Sequence, residues 1–386
     1  MDYDIIFLGS GCASLSVLVR MIDSGKFSDK NILLIDKQQK NKNDRTWCFW
    51  EKEAGYFESI VYRSWEHLQF ISNELDIRLD IVPYKYKMIR GIDFYEYCMQ
   101  KISTQTNISI QSGDISFPPE NNFKPARDGK LLETGNAVVF NSIYIPSTNV
   151  RSHYILKQHF KGWIIETAKD VFDAGSATLM DFRVEQSAGT TFVYVLPLNS
   201  KVALVEYTQF NKLPLRSEEY DVLLKQYIAQ FLSAPEYKII DEEMGVIPMS
   251  TENFPGYKNG IYNIGTAGGQ TKASTGYTFR FIQKQAESIV NQMLSGNLPF
   301  KKGGSAKRFI FYDNTLLHIL AENKMPGNQI FRQLFNRNKA SAVFKFLDNE
   351  SSILEELKII NTLPKTIFLK AGVAELFKFC HKSTKS

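Results

Sequence analysis

The chain has 386 residues, of which 44% are hydrophobic and 23% are charged, and its formal net charge is +5 at pH 7. This length allows two or three domains with a sizeable core, and the composition is that of an ordinary globular protein. The mildly basic charge is greatest toward the carboxyl end and is not gathered in compact runs, which argues against nucleic acid as a partner.

The first 36 residues predict a strand, a glycine-rich loop, an amphipathic helix and a second strand. An apolar strand runs into Gly9 and Gly11, and the second strand ends at Asp36. This order is typical of a βαβ unit whose glycine turn and helix N-terminus bind a pyrophosphate. An acid at the end of the second strand accepts hydrogen bonds from an adenosine ribose, which favours FAD or NAD over a 2′-phosphorylated cofactor. Ser14 stands where a third glycine is usual, so close helix packing must tolerate its hydroxymethyl group.

The middle of the chain predicts an antiparallel sheet followed by a second glycine-rich junction. The expected elements are a helix at 93–105, a strand at 107–111, a loop or hairpin at 118–136, a strand at 137–145, four strands between 162 and 209, a helix at 218–232, a strand at 260–264 and a helix at 277–294. The second junction contains Gly265, Gly268 and Gly269. In two-domain flavoproteins, a late segment of this kind returns to the nucleotide domain and faces the flavin.

Residues 301–386 predict a helical region with apolar and basic residues interleaved. The mixture is clearest at 328–347 and again at 367–379. Such a pattern is typical of basic amphipathic helices that lie on an anionic bilayer, and it fits equally well helices that pack on the body and leave their lysines in water.

Six further motifs occur in the order found in lycopene cyclases. They are DRTWCF at 44–49, QHFKGW at 158–163, MDFR at 180–183, FVYVLP at 192–197, VEYT at 205–208 and STGY at 274–277. Over roughly residues 3–295 the chain resembles this family, and its bacterial β-cyclases in particular. The resemblance implies FAD in its reduced form, NAD(P)H as electron donor, and an isomerisation without net redox change. In that reaction the acyclic ψ ends of lycopene become β-ionone rings, the step that forms β-carotene in carotenoid biosynthesis.

With that resemblance, the predicted fold class is α/β, with a Rossmann-like FAD-binding domain, an antiparallel β-sheet substrate domain and a helical C-terminal region. The FAD-binding domain is expected to be discontinuous. The predicted boundaries are 1–45, 88–150 and 250–300 for the FAD-binding domain, 46–87 and 151–249 for the substrate domain, and 301–386 for the C-terminal region.

Glu206 is the predicted acid–base residue. Ring closure begins when an acid protonates a terminal alkene, and the next double bond then attacks the resulting cation. The first glutamate of the family's acid motif matches Glu206, whereas the position of its second acid holds Tyr207. Strand alternation places Glu206 on the side of Val202 and Leu204, so burial is expected to raise its pKa and keep it protonated. The alternative is a surface glutamate on an edge strand.

Further site candidates come from the other motifs. Asp181 and Arg183 share one face of a strand and are candidate catalytic residues that brace each other or the flavin, with a structural salt bridge as the alternative. Arg45 is a candidate contact for the FAD phosphates. Aromatic residues are candidate walls of a polyene pocket, where ring faces stabilise a cation, although core packing explains most aromatics. These are Trp47, Phe49, Trp163, Tyr194 and Tyr277.

Neither a disulfide framework nor a metal site is expected. The four cysteines show no paired spacing, and the histidines lack metal-ligand spacing. The histidines are His67, His153, His159, His318 and His381. Without a signal segment or an apolar run of roughly 20 residues, the chain predicts a cytoplasmic protein whose membrane contact is peripheral.

Lycopene is a water-insoluble hydrocarbon, so we expect the protein on the inner face of the cell membrane, with lycopene and membrane lipid as partners and no obligatory protein partner. The alternative enzyme is a flavin-dependent monooxygenase or an isoprenoid or carotenoid reductase, which would consume NAD(P)H in proportion to product. A third reading is a binding protein without turnover. Against the redox enzymes, Thr266 follows Gly265 where flavin hydroxylases have a Gly-Asp pair.

Overall fold

The computed structural model describes residues 3–118, 123–146, 154–252, 254–299 and 307–383. His153 and the predicted domain boundaries at 150/151 and 300/301 lie outside these ranges, and the division into domains stays a prediction.

The longest strands begin at Ile155 or later in the chain. In the first part of the chain they are β1 (Ile5–Leu8), β2 (Ile32–Asp36), β3 (Thr46–Glu51), β4 (Arg63–Trp65), β5 (His67–Ser72), β6 (Leu75–Asp80), β7 (Lys85–Arg90), β8 (Ile108–Ser112), β9 (Ile115–Ser116), β10 (Ala126–Arg127), β11 (Lys130–Leu131) and β12 (Val138–Asn141). After these come β13 (Ile155–Thr167), β14 (Ser176–Asp181), β15 (Thr190–Pro197), β16 (Val202–Asn211), β17 (Tyr237–Ser250), β18 (Tyr257–Lys258) and β19 (Ile261–Asn263).

The helices are concentrated in the second half of the chain. They are α1 (Cys12–Ser24), α2 (Gly91–Ser103), α3 (Ser217–Phe231), α4 (Phe279–Leu294), α5 (Lys307–Ala321), α6 (Gly327–Arg337), α7 (Ala340–Leu347), α8 (Ile353–Ile360) and α9 (Lys365–Ser383). Among the described residues, we find no helix that combines the length and the apolar character needed to cross a bilayer.

The predicted βαβ unit forms the centre of a six-stranded sheet in the order β18-β19-β12-β1-β2-β8. The strands from β19 to β8 are parallel, and Ile5 lies opposite both Ile32 and Val138. Side chains of β1 alternate between two cores, since Phe7 packs with α1, α2 and α4 while Leu8 packs with the residues around β9. Both faces are therefore covered, which explains why β1 and β2 are continuous apolar runs.

A seven-stranded sheet, ordered β17-β13-β16-β15-β14-β5-β6, forms the second layer. Its neighbours are antiparallel except for β14 and β5. Because strand side chains alternate, one face packs on α3 and the other faces the C-terminal helices and the three-stranded sheet β3-β7-β4. Glu206 on β16 and Trp163 on β13 lie on opposite faces of this sheet.

The segment 328–347 packs on the body of the protein. Phe335 and Phe344 are buried, and Phe344 stacks on Trp50 with 4.4 Å between ring centroids. The structure divides the segment into α6 and α7, because Asn338 has extended backbone and its side-chain amide caps the carbonyl of Leu334 at 2.9 Å. For this part of the C-terminal region, the packed-helix interpretation is confirmed.

Candidate active site

A cavity of about 570 Å³ lies between the carboxyl ends of the parallel strands and the inner face of the seven-stranded sheet. Its wall includes Gly11 and Cys12 at the start of α1, Gly265 after β19, and Glu206 and Glu243 from the larger sheet. Clefts beyond the carboxyl ends of parallel strands are the usual ligand sites of open α/β sheets. One cavity therefore joins the nucleotide-binding signature to the predicted acid.

The glycine loop after β1 is shaped to leave the N-terminus of α1 open. Gly9 has a φ of +88°, and a Cβ there would lie 2.7 Å from the hydroxyl of Ser142, so the turn requires glycine. Gly11 is the N-cap residue of α1 and supplies no side-chain cap to the helix. A Cβ added to Gly11 would meet no atom within 4 Å. The first amide groups of α1 thus face a space in which a pyrophosphate fits.

Asp36 lies at the end of β2, and its side chain is hydrogen-bonded to this loop. Its carboxylate accepts hydrogen bonds from the backbone and the hydroxyl of Ser10, at 2.6 and 2.8 Å. Burial opposes ionisation, but the bonds from Ser10 and Gln38 outweigh burial and lower the pKa of Asp36. Ser14 is fully buried in α1, so the helix does accommodate its hydroxymethyl group.

Of the late glycines, Gly265 alone is part of the cavity wall. Its φ is +60°, and a Cβ there would lie 2.6 Å from that of Ala13, so the two glycine-rich segments touch. A Cβ at Gly268 would overlap the carbonyl of Asn263, and one at Gly269 would press on the side chain of Phe254. Gly268 and Gly269 therefore allow the tight turn and do not line the cavity, and their assignment as cofactor contacts stays a prediction.

Arg45 enters the cavity from the segment before β3. Its guanidinium makes a two-point contact with Asp44, at 3.1 and 2.8 Å, and half of its side chain remains exposed. A planar guanidinium with free N–H groups suits a phosphate oxygen. The position is compatible with the predicted phosphate contact.

Glu206 and Glu243 meet above Gly162. Strand β13 lies between β16 and β17, and Gly162 is opposite Glu206 on one side and Glu243 on the other. The two carboxyl groups are buried, and they lie close enough for each to affect the pKa of the other. Thr208 donates to Glu206 at 2.9 Å, and Thr46 donates to Glu243 at 2.6 Å. Two carboxyl groups and two hydroxyl groups thus form one connected cluster.

The pKa of Glu206 is raised well above its usual range. Burial is the largest cause, and the negative charge of Glu243 is the next. Burial also raises the pKa of Glu243. Since β16 lies between β13 and β15, the expectation of a buried carboxyl is confirmed and the edge-strand alternative is wrong. The pair retains a proton under conditions that ionise an exposed glutamate.

Glu243 is the site residue that sequence reasoning missed. It lies on β17, and nothing in the local sequence relates it to Glu206, which lies 37 positions earlier. Only the pairing of both strands with β13 brings the two acids together.

Three tyrosines line the cavity beside Glu206. The hydroxyl of Tyr277 is hydrogen-bonded to that of Tyr86 at 3.2 Å, and the phenol of Tyr194 lies close enough to Tyr277 for each to affect the pKa of the other. Burial raises the pKa of each of these phenols, so they remain neutral. Trp47 also reaches the wall, where it packs edge-on against Phe94. The structure therefore brings Trp47, Tyr194 and Tyr277 together, as expected for a wall around a polyene, and adds Tyr86.

Two of the predicted aromatic wall residues lie elsewhere. Phe49 stacks on Phe279 with 4.5 Å between centroids, in the core under α4. Trp163 follows Gly162 in β13 and therefore faces the opposite side of the sheet, where it packs with the residues of α3. The assignment of Phe49 and Trp163 to the substrate pocket is corrected for this reason.

Asp181 and Arg183 also lie away from the cavity. The carboxylate of Asp181 is fully buried on the α3 side of the sheet, where it accepts hydrogen bonds from Arg183 at 2.6 Å and from Tyr227 at 2.7 Å. The negative charge of Asp181 is therefore balanced by Arg183 within the protein. The prediction of a catalytic role is corrected, and the structural salt bridge is the reading that the contacts support.

In the described part of the chain, no cluster of three or more His, Cys, Asp or Glu side chains could hold a metal ion.

Comparison with known proteins gives consistent results. Residues 4–371 match the family model described as lycopene cyclase protein, which extends the resemblance into the C-terminal region. The chain is 23% identical over 310 residues to a lycopene beta-cyclase from Pseudescherichia vulneris, an alignment that covers 77% of this chain and 75% of that protein.

Solved flavoproteins share the fold. A flavoprotein/dehydrogenase from Cytophaga hutchinsonii gives a TM-score of 0.60 at 10% identity, over 97% of this chain and 100% of that one. A geranylgeranyl bacteriochlorophyll reductase-like protein from Thermoplasma acidophilum gives 0.55 at 12% identity, over 96% and 95%. The predicted fold class is thereby confirmed. Because the family model spans nearly the whole sequence, the chain belongs to the lycopene cyclase family.

Proposed function

We propose that this protein is a lycopene β-cyclase, an isomerase that converts the acyclic ψ ends of lycopene to β-ionone rings with FAD bound beside the acid. The observation that carries the proposal is the position of Glu206, a buried carboxyl with a raised pKa, in the same cavity as the open N-terminus of α1. Membership of the family supplies the reaction class, and this site supplies an acid suited to it.

The residues around the glycine loop fit FAD. Gly11 and the start of α1 would hold the pyrophosphate, Asp36 would accept from the ribose, and Arg45 would face a phosphate. Gly265 leaves room where the late segment meets α1. When bound in its reduced form, with NAD(P)H as electron donor, the flavin supplies negative charge that stabilises a nearby cation.

Glu206 performs the proton transfer. Its proton adds to the terminal alkene carbon, and a tertiary cation forms. The next double bond attacks that cation and closes the ring, after which a proton leaves the ring carbon and sets the new double bond. No electrons are gained or lost overall. Burial keeps the carboxyl protonated, so it still holds the proton that it donates, whereas a carboxyl ionised by water has none to give.

The cavity wall protects the cationic intermediate. The rings of Trp47, Tyr194 and Tyr277 offer π faces that attract positive charge. The phenols of Tyr194 and Tyr277 are neutral, and the hydroxyl of Tyr277 is hydrogen-bonded to that of Tyr86, so they are poorly placed to trap the cation as nucleophiles.

The proposal is tested by expressing the chain in cells that accumulate lycopene and separating the pigments by chromatography. We expect β-carotene to replace lycopene. Unchanged lycopene in cells that contain folded, flavin-loaded protein would reject the function. A reductase or monooxygenase would instead consume NAD(P)H in proportion to product, which an assay of the purified protein measures directly.

A hydrocarbon substrate requires access to a bilayer, and the last two helices suit peripheral contact. Leu354 on α8 and Leu369 on α9 are 73% and 66% exposed. Exposed lysines accompany them, namely Lys358, Lys365 and Lys370. Aliphatic side chains beside lysines favour the surface of an anionic membrane. We therefore propose the inner face of the cell membrane as the place where the protein takes up lycopene.

The membrane proposal predicts that the purified protein co-sediments with vesicles containing anionic phospholipid at low salt. Replacing both leucines, Leu354→Glu with Leu369→Glu, should lower the bound fraction several-fold, because the charges oppose insertion. The control is Leu213→Glu, which changes a leucine that is 74% exposed in the segment after β16. A wild-type protein that stays entirely in the supernatant contradicts the proposal.

A further inference from the structure

Glu243 is a buried acid for which neither the acid motif nor the proposed reaction has yet required a role. It lies on β17, an edge strand of the seven-stranded sheet, yet it is only 8% exposed because it points into the cavity. Its neighbour Glu242 points outward, with a side chain that is 63% exposed. A single strand therefore carries one glutamate in water and one in the site.

Gly162 makes the contact between the acids possible. Glu206 and Glu243 are separated by the whole of β13, so their backbones are roughly 9 to 10 Å apart, twice the usual strand spacing. Each side chain has to lean over the residue between them. A Cβ at Gly162 would lie 2.8 Å from the side chain of Leu204 and 3.3 Å from that of Glu206. Glycine leaves the space in which the two carboxyl groups meet.

The surroundings of the two acids favour a proton between them over two negative charges. Thr46 and Thr208 donate hydroxyl hydrogens to the outer sides of the pair. In the described part of the chain, neither acid forms an ion pair with a lysine, arginine or histidine. Two carboxylates this close repel each other strongly, whereas one proton between them converts repulsion into a hydrogen bond.

Tyr207 stands at the position of the second acid of the family motif, but its presence does not deprive the cavity of a second carboxyl group. It follows Glu206 in β16 and therefore faces the opposite side of the sheet, where it packs with α3. An acid at position 207 would share that orientation. The second carboxyl of the cavity comes from β17 instead.

We propose that Glu206 and Glu243 form an acid–carboxylate pair that shares one proton, in which Glu243 is the positioning residue that keeps Glu206 in its acid form. The inference rests on the proposed cyclisation for its catalytic meaning. When the proton of Glu206 moves to the alkene carbon, the pair carries two negative charges facing the cation. The proton released from the ring carbon then returns to the pair, so the cycle closes without net transfer.

Infrared titration tests the pair without relying on activity. The difference between each protein and its own Glu206→Gln derivative isolates the carbonyl band of protonated Glu206. We expect Glu243→Gln to move the midpoint of this band to lower pH, because the carboxamide removes the negative charge and donates a hydrogen bond to ionised Glu206. The control, Glu242→Gln, should leave the midpoint in place.

The same variants give a kinetic readout. Cyclisation should fall at lower pH in Glu243→Gln than in the wild type, so that the ratio of rates at pH 6 and pH 8 rises several-fold. Glu243→Asp, which keeps the charge, should restore part of the wild-type profile. A purely structural role would lower the rate equally at every pH, and an unmoved infrared midpoint would overturn the proposal.

Gly162→Ala provides a second route to the same answer if Glu243→Gln fails to fold. The added methyl group separates the two side chains and should shift the midpoint in the same direction. A shift in midpoint without any β-carotene would refute the proposed function and leave the pair standing. If the wild-type protein forms β-carotene but the midpoint does not move in the variants, the proposed function stands and the proton-sharing pair is refuted.

Discussion

Glu206→Gln is expected to lower the rate of β-ring formation by about 10²–10⁴-fold, the usual contribution of a general acid. Glutamine keeps the size of the side chain and its hydrogen bond from Thr208, but it has no acidic proton. Flavin binding should be unaffected, since the nucleotide cradle is built from other residues. The measurement is the ratio of β-carotene to lycopene per flavin-loaded protein.

The matched control for this prediction is Glu242→Gln. It makes the same chemical change in the same sheet, on a side chain that faces solvent and contacts Lys161 at 3.4 Å. Its activity should equal that of the wild type. Full activity in Glu206→Gln would remove Glu206 from the mechanism, and loss of activity together with loss of flavin would show a structural cause.

The nucleotide half of the fold could be predicted because its signals are local. Gly9 and Gly11 interrupt an apolar run at the point where β1 ends, and Asp36 terminates the next strand. These positions are consecutive in the chain and depend on backbone geometry that a few residue types provide. The order of strand, loop, helix and strand was therefore visible before any tertiary contact was known.

The region between β3 and α2 shows a different limit. No strands were predicted over residues 63–90, although β6 alternates strictly between apolar and polar residues. Short strands of this kind are defined by what they pair with. Strand β5 pairs with β6 nearby but also with β14, about a hundred residues later. Such distant pairing leaves little trace in the local pattern.

Side-chain direction explains most of the corrected site residues. A motif identifies a strand, but neighbouring positions in that strand face opposite layers. Gly162 and Trp163 are adjacent, and one supports the acid pair while the other packs on α3. In the same way, Glu206 faces the cavity while its neighbour Tyr207 packs on the α3 side of the sheet. Resemblance to a family thus located the strands that form the site, and only the register of β13 with its neighbours shows which faces do so.

Gly11→Val should abolish high-affinity flavin binding while leaving the fold intact. The backbone at Gly11 is extended, with φ of −78° and ψ of −177°, a conformation that valine adopts readily. A Cβ there meets nothing within 4 Å in the protein, so the new side chain occupies only the space in front of α1. If the pyrophosphate lies in that space, FAD affinity should fall at least a hundredfold, or about 2.7 kcal/mol.

Flavin absorbance of the purified protein and titration with FAD measure the effect, and thermal unfolding checks the fold. Gly256→Val is the control, because a Cβ at Gly256 also meets nothing within 4 Å and its backbone is outside the left-handed region, yet it does not line the cavity. It should bind FAD normally. Retention of tight binding in Gly11→Val would place the cofactor elsewhere, and the negative charge assigned to the neighbourhood of Glu206 would then need another source.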